Sequence, residues 1–123
     1  MKNVLIVTNN PAVVEKYKDE EVVSADTAKQ VLTKVRDMIH IGHQLLSHPL
    51  AGSIKPNETP YRSVLVSRET DELDFGSLSK IESAIQKYDQ FYNNQPTPEW
   101  PEKILKDFQL VDLTLITSGY KSL

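Results

Sequence analysis

The chain has no cysteine among its 123 residues, which excludes disulfides, thiolate zinc sites, iron–sulfur clusters and a cysteine nucleophile. Its 4 glycines form neither a Walker-type loop nor a dinucleotide fingerprint, so we expect no cofactor. No apolar run approaches the roughly 20 residues of a membrane span, and no signal-peptide cleavage region follows the short apolar start. We therefore expect a cytoplasmic protein with no membrane partner.

The chain also lacks an excess of basic residues. Lys and Arg number 14 against 17 Asp and Glu, which gives a net charge of −3. Nucleic acid is not an expected partner, because nonspecific binding to it depends on many contacts between basic side chains and phosphates. Hydrophobic residues make up 39% of the chain and charged residues 25%, as in ordinary globular proteins. This length predicts one domain over residues 1–123.

The apolar pattern predicts alternating strands and helices. The strands are predicted at Val4–Val7, Val22–Ala25 and Ser63–Ser67. The first is a continuous apolar run, which is typical of a strand covered on both faces. Helices are predicted over residues 11–17, over 27–47, from Ser77 or Ser79 to about 92, and from Glu102 onward. This order predicts a small three-layer α/β domain, Rossmann-like or flavodoxin-like, with a three-stranded mainly parallel sheet and C-terminal helices.

Three details of the predicted helices bear on the site. Asp26 is the expected N-cap of the helix over 27–47, and close packing of this helix on the sheet would explain Gly42 on its apolar face. The apolar stripe of the next helix ends in Tyr88 and Tyr92. The segment Phe108–Ile116 fits a helix or a strand, and we favour a helix with a break near Asp112.

The histidines of the long predicted helix lie on a polar ridge. Arg36, His40, His43 and Ser47 are spaced four, three and four apart, beside the apolar face. His40 and His43 could bind a metal, or one of them could act as a general base. We favour the alternative that they are solvated residues near a helix C-terminus, where positive charge is favourable. No third ligand lies at a suitable spacing, so we expect no metal site.

The stretch HPLAGSIKPNETPY, residues 48–61, has no helical or strand period. Unstructured loops longer than about a dozen residues are uncommon in compact domains and are usually functional or disordered. The stretch and its neighbours contain donors that could bind a carboxylate or a phosphate. We therefore take as candidate ligand-binding residues His43, His48, Ser53, Lys55, Asn57, Thr59, Tyr61 and Arg62. The alternative is a surface connection rich in turn residues.

The position of this loop in a parallel sheet would be unusual. Open α/β sheets bind ligands outside the carboxyl ends of their strands. A loop that leads from a helix into a parallel strand begins and ends at the opposite edge. It could climb the sheet to the carboxyl ends, cover an open flank of the sheet, or dock on a second subunit in a homodimer. We favour the first path, because the polar donors would have little purpose in an apolar contact.

Two further motifs give weak signals. The acidic run Glu69–Asp74 could hold a magnesium ion, but we favour a solvated loop. Neither Ser53 nor Ser67 lies in a nucleophile elbow. No catalytic residue is assigned from these patterns.

The region from Leu45 to Ser63, and above all its core of residues 48–61, resembles the GrdX family. The opening VLIVTNNP and the segment Phe108–Ile116 agree with the same family. These small proteins are encoded beside the glycine, sarcosine and betaine reductase genes of amino-acid-fermenting anaerobic bacteria. The resemblance implies that setting, with reductase components as partners, but no reaction. Without cysteine, this chain cannot perform the thiol or selenol chemistry of those reductases.

Three functions remain open. The first is an accessory or regulatory protein that binds a partner protein or a small anionic ligand through the loop. In that case replacing Lys55 or Asn57 by alanine should abolish binding without unfolding the protein. The second is a small enzyme acting on a phosphorylated or carboxylated metabolite, with His43 or His48 as acid or base and Lys55 with Arg62 holding the anion. The third is a structural protein that forms a dimer.

Overall fold

The structure is a computed structural model and describes residues 3–18, 22–51 and 55–123. Strands and helices alternate as expected, which confirms the α/β class. The elements are β1 (Val4–Thr8), α1 (Pro11–Lys16), β2 (Val22–Ser24), α2 (Ala28–His40), β3 (Ser63–Ser67), α3 (Phe75–Asn94) and α4 (Glu102–Lys121). The preference for a helix over residues 108–116 is confirmed. The break near Asp112 was predicted wrongly, since α4 is continuous there.

The sheet is mixed. Its strand order is β2-β1-β3, and β1 pairs with β2 in parallel but with β3 antiparallel. The prediction of a mainly parallel sheet is therefore wrong, and a Rossmann-like or flavodoxin-like arrangement is not confirmed. The reason lies before β3, where the chain crosses the sheet once as an extended segment. Leu45 bridges Val66 antiparallel on the outer side of β3, so the chain reaches the far edge before β3 begins and must return in the opposite direction.

Helices cover both faces of the sheet. On one face, α2 and α3 pack against Leu5 and Val7 of β1 and against the side chains of β3 that share this face. On the other face, Ile6 contacts a smaller cluster supplied by α1 and α4, which includes Val13 and Ile116. All five residues of β1 are buried, as a continuous apolar run predicts for a central strand.

Helix α2 is much shorter than its apolar pattern suggests. It ends at His40, and Gly42 follows with φ +112°, a left-handed conformation that glycine adopts without a Cβ clash. A Cβ on Gly42 would lie 2.2 Å from the backbone oxygen of Asp71. The predictions of a helix to residue 47 and of glycine packing against the sheet are therefore wrong. The polar ridge predicted on the longer helix does not form.

The helix starts also differ from the sequence-based expectations. The N-cap of α2 is Thr27, whose side chain accepts a hydrogen bond from the Gln30 amide, rather than Asp26. Helix α3 begins at Phe75 with Asp74 as N-cap, because a carboxylate accepts from the first-turn amides as well as a serine does. Pro101 precedes α4 as predicted.

Across the described ranges, no helix has both the length and the apolar character that crossing a bilayer requires.

Candidate ligand site at the carboxyl edge of the sheet

Because β3 is antiparallel, the 48–62 loop ends at a different edge of the sheet from the one expected. Thr8 at the end of β1 is in register with Ser24 at the end of β2 and with Ser63 at the start of β3. The loop therefore enters β3 at the edge where β1 and β2 end, which we call the carboxyl edge. The expectation that the loop ends at the opposite edge is wrong, because it assumed that β3 is parallel.

Asn9 holds the end of the loop against the end of β1. Its side-chain Nδ2 donates to the Pro60 carbonyl at 2.8 Å, and its Oδ1 accepts from the Arg62 amide at 2.7 Å. The Asn9 amide donates to the Arg62 carbonyl at 3.3 Å. These three bonds fix residues 60–62 in one orientation at the carboxyl edge.

The middle of the loop is tied to the connection between α3 and α4. Asn57 is only 3% exposed, and its Nδ2 donates to the Gln95 carbonyl at 2.7 Å. The indole Nε1 of Trp100 donates to the Glu58 carbonyl at 2.8 Å. Asn57 and Glu58 are therefore held by hydrogen bonds to residues far away in the sequence.

Arg62 places a buried positive charge behind this edge. The residue is 3% exposed, its Nη2 donates to the Pro56 carbonyl at 3.3 Å, and its Nε has no partner within the described ranges. Burial lowers the pKa of the guanidinium to about 10, while the charge of Asp112 and the phenol of Tyr88 oppose that shift. Arg62 is therefore still protonated at neutral pH.

Asp112 of α4 joins the network from the other face of the sheet. Its Oδ2 accepts from Ser63 Oγ at 2.6 Å and from Asn10 Nδ2 at 3.0 Å. Burial raises the pKa of the Asp112 carboxyl above 3.8, although these hydrogen bonds and the charge of Arg62 act in the opposite direction. Asn10 is fully buried, and its Oδ1 also caps α1 through the Ala12 amide at 3.0 Å. One polar network therefore joins β1, β3, α1 and α4.

A cleft of about 580 Å³ opens at the same edge, between α2 and α3. Its walls are Asn9 after β1, the start of α2, Pro60 and Tyr61 of the loop, and the C-terminal half of α3. Both the size and the position are typical of small-molecule sites, which lie outside the carboxyl ends of strands in open α/β sheets.

The cleft combines charged and aromatic side chains. Lys29 of α2 forms an ion pair with Asp89 of α3, and its Nζ lies 5.9 Å from the ring centroid of Tyr88. The rings of Tyr88 and Tyr92 are stacked, with centroids 5.8 Å apart. The hydroxyl of Tyr61 accepts from Gln109 Nε2 at 2.9 Å. Such a wall can hold a small polar ligand by ion pairs, hydroxyl hydrogen bonds and ring faces.

On the α4 side, the loop borders two smaller cavities. One, of about 110 Å³, is lined by Thr59, Tyr61 and Arg62 together with apolar side chains of α4. The other, of about 40 Å³, is lined by His48, Arg62 and Asp112, among others. Tyr61 therefore separates the cleft from the α4 side.

The candidate residues of the loop do not converge on one point. Tyr61 borders the cleft, Arg62 and Asn57 lie buried behind it, and His48 and Thr59 face the α4 side. Lys55 is exposed, with its ammonium 4.0 Å from Glu58 Oε1. Ser53 lies outside the described residues.

His43 lies at the opposite edge of the sheet. Its Nδ1 is 2.7 Å from the carbonyl oxygen of Ser67, and Ser67 pairs with Val4 at the start of β1. His43 and the loop histidine therefore do not share a site. Within the described ranges, no group of three or more histidine, aspartate or glutamate side chains is placed to hold a metal ion.

Most of the cleft was not found by sequence reasoning. Asn9 carried a signal, because it lies two residues after the predicted strand Val4–Val7, at an edge where ligands bind in open α/β sheets. Tyr88 and Tyr92 fell on the apolar stripe and were read as core. Lys29 and Asp89 are distant in sequence and carry no common motif, so only the packing of α2 on α3 joins them.

Fold and cleft together define a small α/β protein with helices on both faces of a mixed sheet and an open cleft at the edge where β1 and β2 end. The GrdX-like protein family matches residues 5–121, and the chain belongs to this family. Comparison with curated proteins gives no match. Comparison with solved structures gives none either.

Proposed function

We propose that this protein is an accessory protein of the glycine, sarcosine and betaine reductase system that binds a small carboxylate or phosphate ligand in the carboxyl-edge cleft. Membership of the GrdX-like family supports the setting. The cleft itself carries the proposal, because it has the volume of a ligand site and the loop forms part of its wall.

Two groups favour a ligand that bears negative charge. The side chain of Lys29 is 36% exposed, so its ammonium can reach a bound anion. Arg62 lies close enough to Tyr88 for its charge to act on the pKa of that phenol, so a buried positive charge stands behind the cleft wall. A hydrogen bond to a charged group contributes about 1.5–3 kcal/mol, so the Lys29 ammonium can add measurably to the binding of a small anion.

In this proposal the buried polar residues of the loop shape the site and do not contact the ligand. Asn57 and the Arg62 backbone hold the loop in place, and Tyr61 lines the cleft. Within the stretch that carries the family resemblance, some residues therefore hold the loop in place and others line the cleft.

Calorimetric titration with acetate and with inorganic phosphate tests the proposal. We expect saturable binding of at least one of them to the wild-type protein. Lys29→Met removes the ammonium but keeps most of the stem, and it should weaken binding about tenfold or more, as expected for loss of a charged hydrogen bond.

The matched control is Lys106→Met. Lys106 pairs with Glu102 on the surface of α4 at 3.8 Å and does not line the cleft. Its replacement should leave the affinity within about twofold, since exposed pairs contribute little. If wild type shows no saturable binding, or if both variants bind like wild type, the cleft is not the anion site.

One observation favours the enzyme alternative. His48, Arg62 and Asp112 line one small cavity, so an imidazole, a guanidinium and a carboxyl group with a raised pKa lie together. Such groupings occur at catalytic sites. If the protein turns over a phosphorylated or carboxylated metabolite, His48→Gln should abolish turnover while His43→Gln, at the opposite edge, should not. Turnover that survives His48→Gln would exclude this alternative.

A further inference from the structure

The charges of the cleft indicate a narrower ligand class. We infer that the cleft binds a small zwitterion, a molecule with a carboxylate and a cationic nitrogen separated by a few bonds. This inference rests on the proposed function and specifies its ligand.

The charged residues that line the cleft match a ligand with both signs of charge better than one with a negative charge alone. Three charged residues line the cleft, one lysine and two aspartates: Lys29, which pairs with Asp89, and Asp26. A lone carboxylate or phosphate would approach Lys29 but would also face both acids. A lone cation would meet the ammonium. A ligand with both charges matches both kinds of group.

A ligand can replace the ion pair between Lys29 and Asp89 with its own charged groups. Both side chains are accessible, at 36% and 44% exposure, so water competes with their mutual attraction and the pair is weak. A zwitterion can give its carboxylate to Lys29 and its nitrogen to Asp89. One ion pair is then replaced by two, whereas a simple anion only exchanges one partner for another.

The tyrosines add a reason for a cationic nitrogen. A cation within about 6 Å of an aromatic centroid is attracted by the ring, and Lys29 already occupies that position over Tyr88 at 5.9 Å. Tyr92 stacks on Tyr88 and is 41% exposed, so it offers further ring surface beside Asp89. Ring faces favour nitrogens that are weakly hydrated, such as methylated ones.

Calorimetry with a zwitterion and its two halves tests the inference. The probes are glycine and trimethylglycine as zwitterions, acetate as the carboxylate half, and methylammonium and tetramethylammonium as the cationic halves. We expect at least one zwitterion to bind about tenfold or more tightly than every half-molecule and than phosphate.

Substitutions assign the effect to the cleft. Asp89→Asn should weaken zwitterion binding about tenfold and strengthen acetate binding, because it removes a carboxylate that repels anions. Lys29→Met should weaken both. The matched control Glu102→Gln, on α4, should change neither. Circular dichroism should show that the variants fold, since Lys29 and Asp89 are both partly exposed.

The failures are distinguishable. If acetate or phosphate binds as tightly as the zwitterions, the inference is wrong and the proposed function stands. If Asp89→Asn leaves zwitterion binding unchanged, the inference is also wrong. If no probe binds the wild-type protein, both the inference and the small-ligand function are overturned.

Discussion

The two edges of the sheet are both polar, but they use their polar atoms differently. At the opposite edge, where β1 begins and β3 ends, direct bonds between backbone groups join separate segments of the chain, and the side chains of His43 and Ser67 add others. The Asp71 amide donates to the Gly42 carbonyl at 3.0 Å, and the Ser67 amide donates to the Gln44 carbonyl at 2.9 Å. At the carboxyl edge, side chains such as Asn10 and Asp112 join four elements of the fold.

This difference shows that one edge of the sheet is closed by the backbone, while the other edge keeps a cleft that can bind a ligand. The opposite edge is sealed by close backbone contacts around Gly42. The carboxyl edge is held by side chains, which can anchor the loop and still leave the larger cleft open beside it. Substitutions at the two edges should therefore have different costs, as the following predictions state from the largest effect to the smallest.

Gly42→Ala should have the largest effect on stability. A Cβ would lie 2.2 Å from the Asp71 oxygen, and the backbone has φ +112°, so the substitution adds both a clash and conformational strain. We expect the free energy of unfolding in urea to fall by about 2–4 kcal/mol.

Gly76→Ala is the matched control at the start of α3. A Cβ there would meet only the Asp74 carboxylate, at 3.8 Å, and alanine favours a helix over glycine by up to about 1 kcal/mol. It should be neutral or stabilising. Equal losses in the two variants would mean that close backbone contact does not seal the opposite edge.

Asn10→Ala should be the most costly change in the side-chain network. It removes the cap of α1 and two hydrogen bonds to α4 from a fully buried residue. The expected loss in unfolding free energy is about 2–3 kcal/mol. Thr27→Ala, which removes the exposed cap of α2, should cost only about 1 kcal/mol. If Asn10→Ala and Thr27→Ala cost similar amounts, the bonds of Asn10 to α4 add nothing to its role as a helix cap.

Asn57→Ala and Lys55→Ala compare the loss of a buried loop side chain that is hydrogen-bonded with the loss of an exposed one. Asn57 is buried and bonded to Gln95, so its loss should cost about 1 kcal/mol in urea denaturation, although the protein should still fold. Lys55 is exposed with one distant ion pair, and its loss should stay within about 0.5 kcal/mol. The reverse order would place Lys55 in the anchor.

Two carboxyl groups should give the smallest effects, and of opposite sign. Burial raises the pKa of Asp112 above 3.8, so its contribution to stability is full below 3.8 and is lost as pH rises above that value. Hydrogen bonds from Ser77 lower the pKa of Asp74 below 3.8, so its contribution is full above 3.8 and is lost as pH falls below it.

Urea denaturation between pH 3 and pH 7 in the two asparagine variants checks these signs. Asp112→Asn should reduce the loss of stability above pH 3.8, and an amide oxygen can still accept both bonds that Oδ2 accepts. Asp74→Asn should reduce the loss below pH 3.8. A wild-type pH profile unchanged by either substitution would contradict both assignments.

Much of the fold followed from local patterns. The continuous run in β1, the strand at Ser63–Ser67 and the helix after Pro101 all agree with the structure. The direction of β3 could not be predicted, since an antiparallel and a parallel strand have the same composition. The end of α2 was missed because residues 43–47 continue a helical pattern, whereas only contact with Asp71 reveals why Gly42 breaks it.

For the candidate site, the sequence identified the loop but not its role. Donors such as Asn57 and Arg62 are recognisable as polar residues in a long loop. Whether they face a ligand or the interior depends on partners such as Gln95 and Pro56, and those partners are set by packing.

The sequence by itself determined the α/β class, the family and the absence of cysteine chemistry, because these depend on composition, short-range periodicity and a contiguous motif. Tertiary structure alone decided that β3 runs antiparallel, that the loop lies at the carboxyl edge, and that Lys29 meets Asp89 beside two tyrosines. Strand direction and cleft composition arise from contacts between residues far apart in the chain. No local pattern encodes such contacts, so the site exists only once the helices have packed on the sheet.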